Sequence, residues 1–372
     1  MSARSRSHSH SHSRATTRTS TSETIEHNLI GAFLGWAASH DRVMYGTTAI
    51  NSILPQELKL FADLTAPDFD VLSPEARSDA DDLARTFREL GHATSVAKDA
   101  TTDVHRVFVD GVVLTRVSQV PKVVYARLRE GALQGDNGMW VAPVEYLRMA
   151  LFYELSRNDA AGEWQAALDR LVRLDSAFNR INAAACEPTV TEELDDVARA
   201  TIKEVRAWVT KSHLVVCGYA AAAMALTEGG WPEVPARLEP DATCMDVLSN
   251  DPDDTMAELL AAVKSVESRR LSVQRHRAGA VFPRHCILRL DGRPLVGVFH
   301  ADRCMAYVKV DGLRVATLDT LLAIYLRAYV MGRHTDNLRC LCDLLSRQQY
   351  RRYASDKPIF KRFVTECYGA KR

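Results

Sequence analysis

Val43-Met44-Tyr45-Gly46-Thr47-Thr48-Ala49-Ile50-Asn51, followed by Asp68-Phe69-Asp70-Val71-Leu72, decides the fold of this chain. In the first stretch a short apolar run ends in a glycine, and two hydroxyl residues open a helical run. Such a turn aims backbone N–H groups and a helix N-terminus at one point, which suits a phosphate. Many strand–glycine–helix turns bind nothing, so the second stretch carries more of the argument. Residues two apart in a strand face the same way, so Asp68 and Asp70 are expected to project together. Two carboxylates that close repel each other, and a divalent cation relieves the repulsion. Mg²⁺ is commonly held by a few carboxylates together with substrate phosphates. A pair of acids ending an exposed strand would give the same pattern.

Outward from this core the pattern stays mixed α/β. Ile25, Leu29, Phe33 and Trp36 lie near helical spacing and predict an amphipathic helix over 25–40. Asp110-Gly111 between two apolar runs predicts a tight hairpin. Residues 144–181 and 191–210 read as helices bracing two modules, the second with a Thr189-to-Glu192 capping pattern. Thr255–Val266 and Leu318–Tyr329 show core-type helical spacing.

The second half repeats the first. Val215-Val216-Cys217-Gly218 resembles Val43-Met44-Tyr45-Gly46, and Met245-Asp246-Val247-Leu248-Ser249 resembles Phe69-Asp70-Val71-Leu72-Ser73. Leu290-Asp291-Gly292 likewise resembles Val109-Asp110-Gly111. The separations grow slowly along the chain (46 to 218, 70 to 246, 110 to 291), as loop insertions would produce. In the second copy Cys244 takes the place of Asp68, Ala220 and Ala221 replace the hydroxyls, and Gly297 corresponds to Arg116. Asp246 alone remains, and one carboxylate cannot hold two metal ions. That copy reads as structural.

Composition sets the outer limits. The chain has 372 residues, 47% hydrophobic and 25% charged, enough for two or three globular domains. Its 47 basic and 47 acidic residues balance, which excludes a generally basic nucleic-acid coat but not a local basic groove. Residues 1–22 hold four arginines and no acid, so a basic tail is offset by an acidic body. With almost no apolar residues, that tail is expected to be disordered and is not a signal peptide. His8, His10 and His12 alternate within it and read as solvated.

No apolar run approaches the ~20 residues of a membrane span. The eight cysteines all lie in the second half without a CxxC pair, and free thiols in a reduced compartment are expected. His285, Cys286, His300 and Cys304 fit no structural zinc spacing well. Candidate contacts for RNA or triphosphate are Lys122, Arg148, Arg157, Arg269, Arg270, Arg275, Arg277, Arg351 and Arg352. Tyr350, Tyr353 and Phe360 are interleaved in a basic C-terminal segment that suits base stacking and an ordinary surface helix equally.

Glycine–hydroxyl, helix, then Asp-x-Asp on the next strand resembles the core of the nucleotidyltransferase superfamily. Tyr45–Pro55 (YGTTAINSILP), Asp68–Pro74 (DFDVLSP), Val120–Tyr125 (VPKVVY) and Glu145–Arg157 (EYLRMALFYELSR) narrow it, with Trp164 and the Leu168/Leu171/Leu174 ladder. In residues, order and spacing they are similar to the poly(A) polymerase catalytic subunit of nucleocytoplasmic large DNA viruses, of the giant-virus and poxvirus type. The resemblance spans roughly residues 43–180.

It implies a mixed α/β (α+β) fold of two tandem nucleotidyltransferase-like domains with a helical connector, the second copy degenerate. The corresponding boundaries are a tail over 1–24, a first domain over 25–185 and a second over 186–372. It implies that an RNA 3′-hydroxyl attacks the α-phosphate of ATP, adding AMP and releasing pyrophosphate, with Mg²⁺ or Mn²⁺ as cofactor. Gly46 with Thr47 or Thr48 would cradle the triphosphate, and Asp68 and Asp70 would be the catalytic and metal-binding carboxylates. Partners implied are RNA 3′ ends and ATP, with a homodimer or a processivity subunit left open and no membrane. The location implied is the host cytoplasm (viral factory) or virion, not secretion.

Three positions depart from the family pattern. The third carboxylate is expected five residues before the proline of the VPK motif, and that residue is Arg116, flanked by Leu114, Thr115, Val117 and Ser118. The phosphate loop has Gly46-Thr47 where two glycines or glycine–serine are usual, and Glu163-Trp164 replaces Arg-Trp. A guanidinium at 116 would pair with Asp68 and Asp70 and occupy space that a cation would fill. Three readings follow: a polymerase weakened by Arg116, a catalytically silent scaffold for RNA or a partner subunit, or a nucleotidyltransferase with another substrate.

Overall fold

A computed structural model describes residues 16–61, 69–99, 103–156, 163–178, 196–227, 245–263, 270–277, 283–310, 312–330, 336–354 and 367–369. The first sheet contains β1 (Val43–Tyr45), β2 (Phe69–Ser73), β3 (Thr94–Lys98), β4 (Val104–Val109), β5 (Val112–Gln119), β6 (Leu133–Gln134) and β7 (Trp140–Val141). Its strand order is β3-β4-β5-β2-β1-β7-β6. Strand β4 alternates, burying His105, Val107 and Val109. The β4–β5 turn places Asp110 at φ 51° and Gly111 at φ 83°, the left-handed pair that a two-residue hairpin requires.

The second sheet contains β8 (Val215–Cys217), β9 (Met245–Ser249), β10 (Leu271–His276), β11 (His285–Leu290), β12 (Arg293–His300), β13 (Met305–Val310), β14 (Leu313–Ala316) and β15 (Cys367–Tyr368). Its order is β10-β11-β12-β9-β8-β14-β13-β15. Renumbered from its first strand, this is the order of the first sheet with one strand added at the edge. The repeat extends to backbone detail. Asp41 and His213, entering β1 and β8, both have positive φ, as do Asp110 and Asp291 in the hairpins. The register of each hairpin shifts at one place, Val107/Phe108 and Leu288/Arg289.

Helices cover the first sheet because their apolar residues recur at helical spacing. In α3 (Ala76–Glu89), Ala80, Leu83, Ala84 and Phe87 are buried at i, i+3, i+4 and i+7. Helix α1 (Thr16–Ser39) packs on α3, and its Phe33 ring stacks on Phe69 of β2 at 4.1 Å. Truncating Phe33, which is fully buried, to alanine should cost about 3–5 kcal/mol. The two modules meet where α5 (Val144–Leu155) lies against α10 (Leu318–Val330). Helices α6 (Trp164–Ala177) and α11 (Asp336–Ala354) pack on α5 and α10 in turn. Helix α7 (Asp196–Ser212) packs on α9 (Pro252–Ala262) in the second module.

Several expectations are corrected. Helix α1 begins at Thr16, so residues 16–24 are helical where a disordered tail is expected; residues 1–15 lie outside the described set. Extending a formed helix is far easier than nucleating one, so poor helix formers join the end of an anchored helix. The expectation of free thiols fails for Cys304 and Cys367, which form a disulfide. Antiparallel pairing of β15 with β13 sets Cys367 opposite Ala306, bringing the two Cα atoms to 5.2 Å. Of the helices expected over 144–181, α5 covers 144–155 and α6 covers 164–177, with residues 157–162 outside the described set, and α7 covers 196–212. The Thr189–Glu192 cap lies outside the described residues.

Candidate active site

Gly46 follows β1 directly and opens helix α2 (Gly46–Ile53) at φ 83°. A Cβ at this position would lie 2.6 Å from the Asp70 Oδ2 atom. Only glycine therefore combines this backbone conformation with a carboxylate seated against the helix start. Antiparallel pairing of β1 with β2 sets Asp70 opposite Tyr45. Parallel pairing of β2 with β5 sets it opposite Arg116. The Arg116 guanidinium donates to the Asp70 carboxylate at 3.3 Å. Arg116 is 39% exposed and Asp70 16%, so the pair opens toward solvent.

Two phenols flank Asp70, Tyr146 buried and Tyr45 partly buried. The Tyr45 hydroxyl and the Ser118 hydroxyl are hydrogen-bonded at 2.7 Å, and the Tyr45 ring meets Tyr146 edge-on at 5.8 Å. Burial first, then the Asp70 charge, pushes both phenol pKa values upward. They stay protonated and supply a neutral polar floor.

Side chains from α6 hold the surrounding loops. Arg170 donates to the Thr47 hydroxyl and, at 2.7 Å, to Glu154 of α5. Arg173 donates to the carbonyls of Leu58 and Lys59, at 3.2 and 2.8 Å. Lys59 in turn donates to the Asn51 carbonyl and to Asp136. Asn51 accepts from the Leu60 backbone at 2.7 Å.

The second module shows the same backbone with a different outcome. Gly218 opens α8 (Gly218–Thr227) at φ 72°, and a Cβ there would meet Asp246 at 2.5 Å. Gly297 occupies the register position of Arg116, and its backbone N–H donates to Asp246 at 3.0 Å. Asp246 is buried, and burial of the Cys217 thiol first, then the Asp246 charge, raises that thiol's pKa.

The fold thus brings Gly46, Thr47, Thr48, Asp70 and Arg116 together, with Thr48 buried behind the helix start. Asp68 lies outside the described residues, as does Cys244. Arg148, a candidate nucleic-acid contact by sequence, is instead buried against Asp175 at 2.7 Å and the Phe178 carbonyl at 2.9 Å. Desolvating a guanidinium requires such partners, so Arg148 braces α5 on α6. Lys122 pairs with Glu75, Arg270 with Asp291 and Arg275 with Asp253 at the surface. Arg277 is exposed, while Arg157, Arg269 and the side chains of Arg351 and Arg352 lie outside the described residues.

The disulfide removes Cys304 from any zinc set with His285, Cys286 and His300. Among the described residues no three His, Cys, Asp or Glu side chains come together to hold a metal ion, and no helix is long and apolar enough to cross a membrane. Sequence reasoning missed Arg170. It lies off the buried Leu171/Leu174 face of α6, and only the fold places it on Thr47.

Residues 32–159 match the family model of the poly(A) polymerase catalytic subunit. Among solved structures, the crystal structure of the Megavirus polyadenylate synthase is similar over 100% of this chain and 83% of its own, with TM-score 0.74 and 16% identity. The antibiotic-resistance factor ANT(2'')-Ia covers 42% of this chain and 91% of its own at 14% identity, with a TM-score of 0.26 that carries no argument. No curated protein matches the sequence. The resemblance read from the motifs is borne out: the matched stretch is of the poly(A) polymerase catalytic-subunit type. The mixed α/β fold expected from that resemblance is the fold found, and the whole chain shares it with the Megavirus protein.

Proposed function

We propose that this protein is a poly(A) polymerase-type nucleotidyltransferase that adds AMP from ATP to RNA 3′ ends, weakened by Arg116. The observation that carries the reading is the Gly46–Asp70 cradle, a carboxylate held against a helix N-terminus by a glycine with positive φ, inside the matched stretch. Helix α2 offers backbone N–H groups to a triphosphate, with the hydroxyl of Thr47 at its first turn and Thr48 buried behind it. The donor set fits a divalent ion in type, since Asp70 is a carboxylate at an open site and Asp68 precedes it by two residues. By the family resemblance the third carboxylate's place falls to Arg116, which β5 sets opposite Asp70.

A divalent ion held by Asp68 and Asp70 would neutralise charge on the phosphates and lower the pKa of the attacking hydroxyl. The chain's own contribution is positional. Gly46 and the α2 N-terminus orient the triphosphate, and the neutral phenols of Tyr45 and Tyr146 shield the Asp70 side from water. The 3′-oxygen bonds to the α-phosphorus, the α–β bridging bond breaks, and pyrophosphate leaves with the electron pair. The hydroxyl proton passes to solvent.

A second reading, a silent scaffold that binds RNA or a partner subunit, is favoured by the contact between Arg116 and Asp70. Primer extension with each of the four nucleoside triphosphates in Mg²⁺ or Mn²⁺ separates the two. AMP addition that disappears in Asp70→Asn supports the polymerase. No incorporation by either wild type or Arg116→Asp assigns the protein to the scaffold reading.

A further inference from the structure

We infer that Arg170 is a positioning residue of the nucleotide site, which turns the Thr47 hydroxyl into a hydrogen-bond donor aimed at the ATP phosphates. The inference rests on the nucleotidyltransferase reading above. Three edges of the guanidinium are fixed: Nε donates to the Ala166 carbonyl at 3.2 Å, one terminal nitrogen to Glu154 at 2.7 Å, and the other to Thr47 Oγ1. Arginine has donors only, so Thr47 must accept in this contact. Its own proton is left for another acceptor. Thr47 is the second residue of α2, where no earlier helical carbonyl is available to take that proton. An anion arriving at the helix N-terminus is the natural acceptor.

The arrangement also answers two departures in the sequence. A β-branched threonine has few rotamers, and a guanidinium on its oxygen selects one of them. The positive charge absent at Glu163 is supplied two turns further along the same helix. Arg170 is largely buried and Glu154 partly so, which makes the contact geometrically fixed before any ligand arrives.

The test is equilibrium binding of ATP to the full-length protein, read by displacement of a fluorescent ATP analogue, with KM and kcat for AMP incorporation alongside. Arg170→Met and Thr47→Val should each weaken ATP about tenfold, the scale of one charge-assisted hydrogen bond, and raise KM more than they lower kcat. Thr47→Ser should stay near wild type because it keeps the hydroxyl. The double variant should bind no more than about twofold worse than the weaker single, since both remove one interaction.

If Arg170→Met binds ATP like wild type while Thr47→Val does not, the role of Arg170 is overturned and the nucleotide site stands. Multiplying effects in the double variant overturn it as well. If neither Thr47→Val nor Asp70→Asn changes binding, the nucleotide-site reading itself falls. Should Arg170→Met fail to fold, Glu154→Ala, which removes one of the three partners holding the guanidinium, must weaken ATP in the same direction.

Discussion

Replacing Arg116 with aspartate should raise metal-dependent activity, and the size of the gain follows from the geometry. The guanidinium lies 3.3 Å from the Asp70 carboxylate and is 39% exposed, so its field is screened nearly as in water. At that separation a unit charge acts on another with about 1.3 kcal/mol in water, hence about 2.5 kcal/mol on a divalent ion held equally close. Removing the charge with Arg116→Ala recovers at most that amount, and reversing it with Arg116→Asp at most about twice it.

Hydration of the exposed side chain and a longer distance to the ion both reduce these ceilings. Because the exposed guanidinium can also swing aside, a gain of up to about fivefold in apparent Mg²⁺ affinity on removing it, roughly 1 kcal/mol, is the expected result, with a further gain in Arg116→Asp. The assay is a Mg²⁺ and Mn²⁺ titration of ATP-dependent primer extension on wild type, Arg116→Ala and Arg116→Asp, with thermal unfolding in parallel. The reasoning is refuted if the three folded proteins extend primers equally at low and at saturating metal while Asp70→Asn is dead. Arg116 would then be a bystander, and the metal would bind beyond its reach.

Three further outcomes follow from the same structure. Gly46→Ala puts a Cβ into the Asp70 carboxylate and strains a residue at φ 83°, so it should cost about 1–3 kcal/mol and most of the extension activity. An unchanged melting temperature would show that the loop is built differently. Cys304→Ser opens a cross-link of sequence separation 63 between β15 and the residue preceding β13 and should cost about 4 kcal/mol by loop entropy, measured by unfolding with and without reductant. The pKa of His105 is lowered by burial first, then by Lys98 and Arg77, with Asp81 and Asp103 opposing. The unfolded chain therefore takes up this proton more readily. The contribution to stability is complete above the ordinary value of 6.5 and is lost as pH falls below it. Urea unfolding at pH 7.5 and 5.5 should show a smaller acid loss in His105→Gln than in wild type.

What was legible in the sequence was whatever is set by neighbours along the chain. Gly46 and Asp70 announced the cradle because a tight turn and a strand period are local rules, and Asp110-Gly111 announced its hairpin for the same reason. Arg170, Arg148 and the Cys304–Cys367 bridge were not legible, because each depends on an element distant in sequence arriving at a particular face. Arg148 shows the difference well. On a list of basic residues it looks like a phosphate contact, and only the packing of α6 reveals Asp175 against it. Helix α1 extends past its apolar pattern because its downstream half is anchored on Phe69, which no local propensity records.

The internal repeat converts one of these ambiguities into a comparison. Asp70 and Asp246 occupy the same register on equivalent strands, each pressed against a glycine at a helix start. What differs is the residue that the neighbouring parallel strand presents. In the second module it is Gly297, whose backbone N–H reaches Asp246, and the carboxylate becomes a buried structural acceptor. In the first it is Arg116, whose long side chain leaves the pair open to solvent. A backbone N–H cannot move aside for a cation without breaking the sheet, whereas a surface guanidinium can swing away at a cost of about 1 kcal/mol or less. On the proposed reading, the first site keeps a route to a metal ion that the second has lost. Residue 116 sets how strongly that route is opposed, while the fold of the site stays the same.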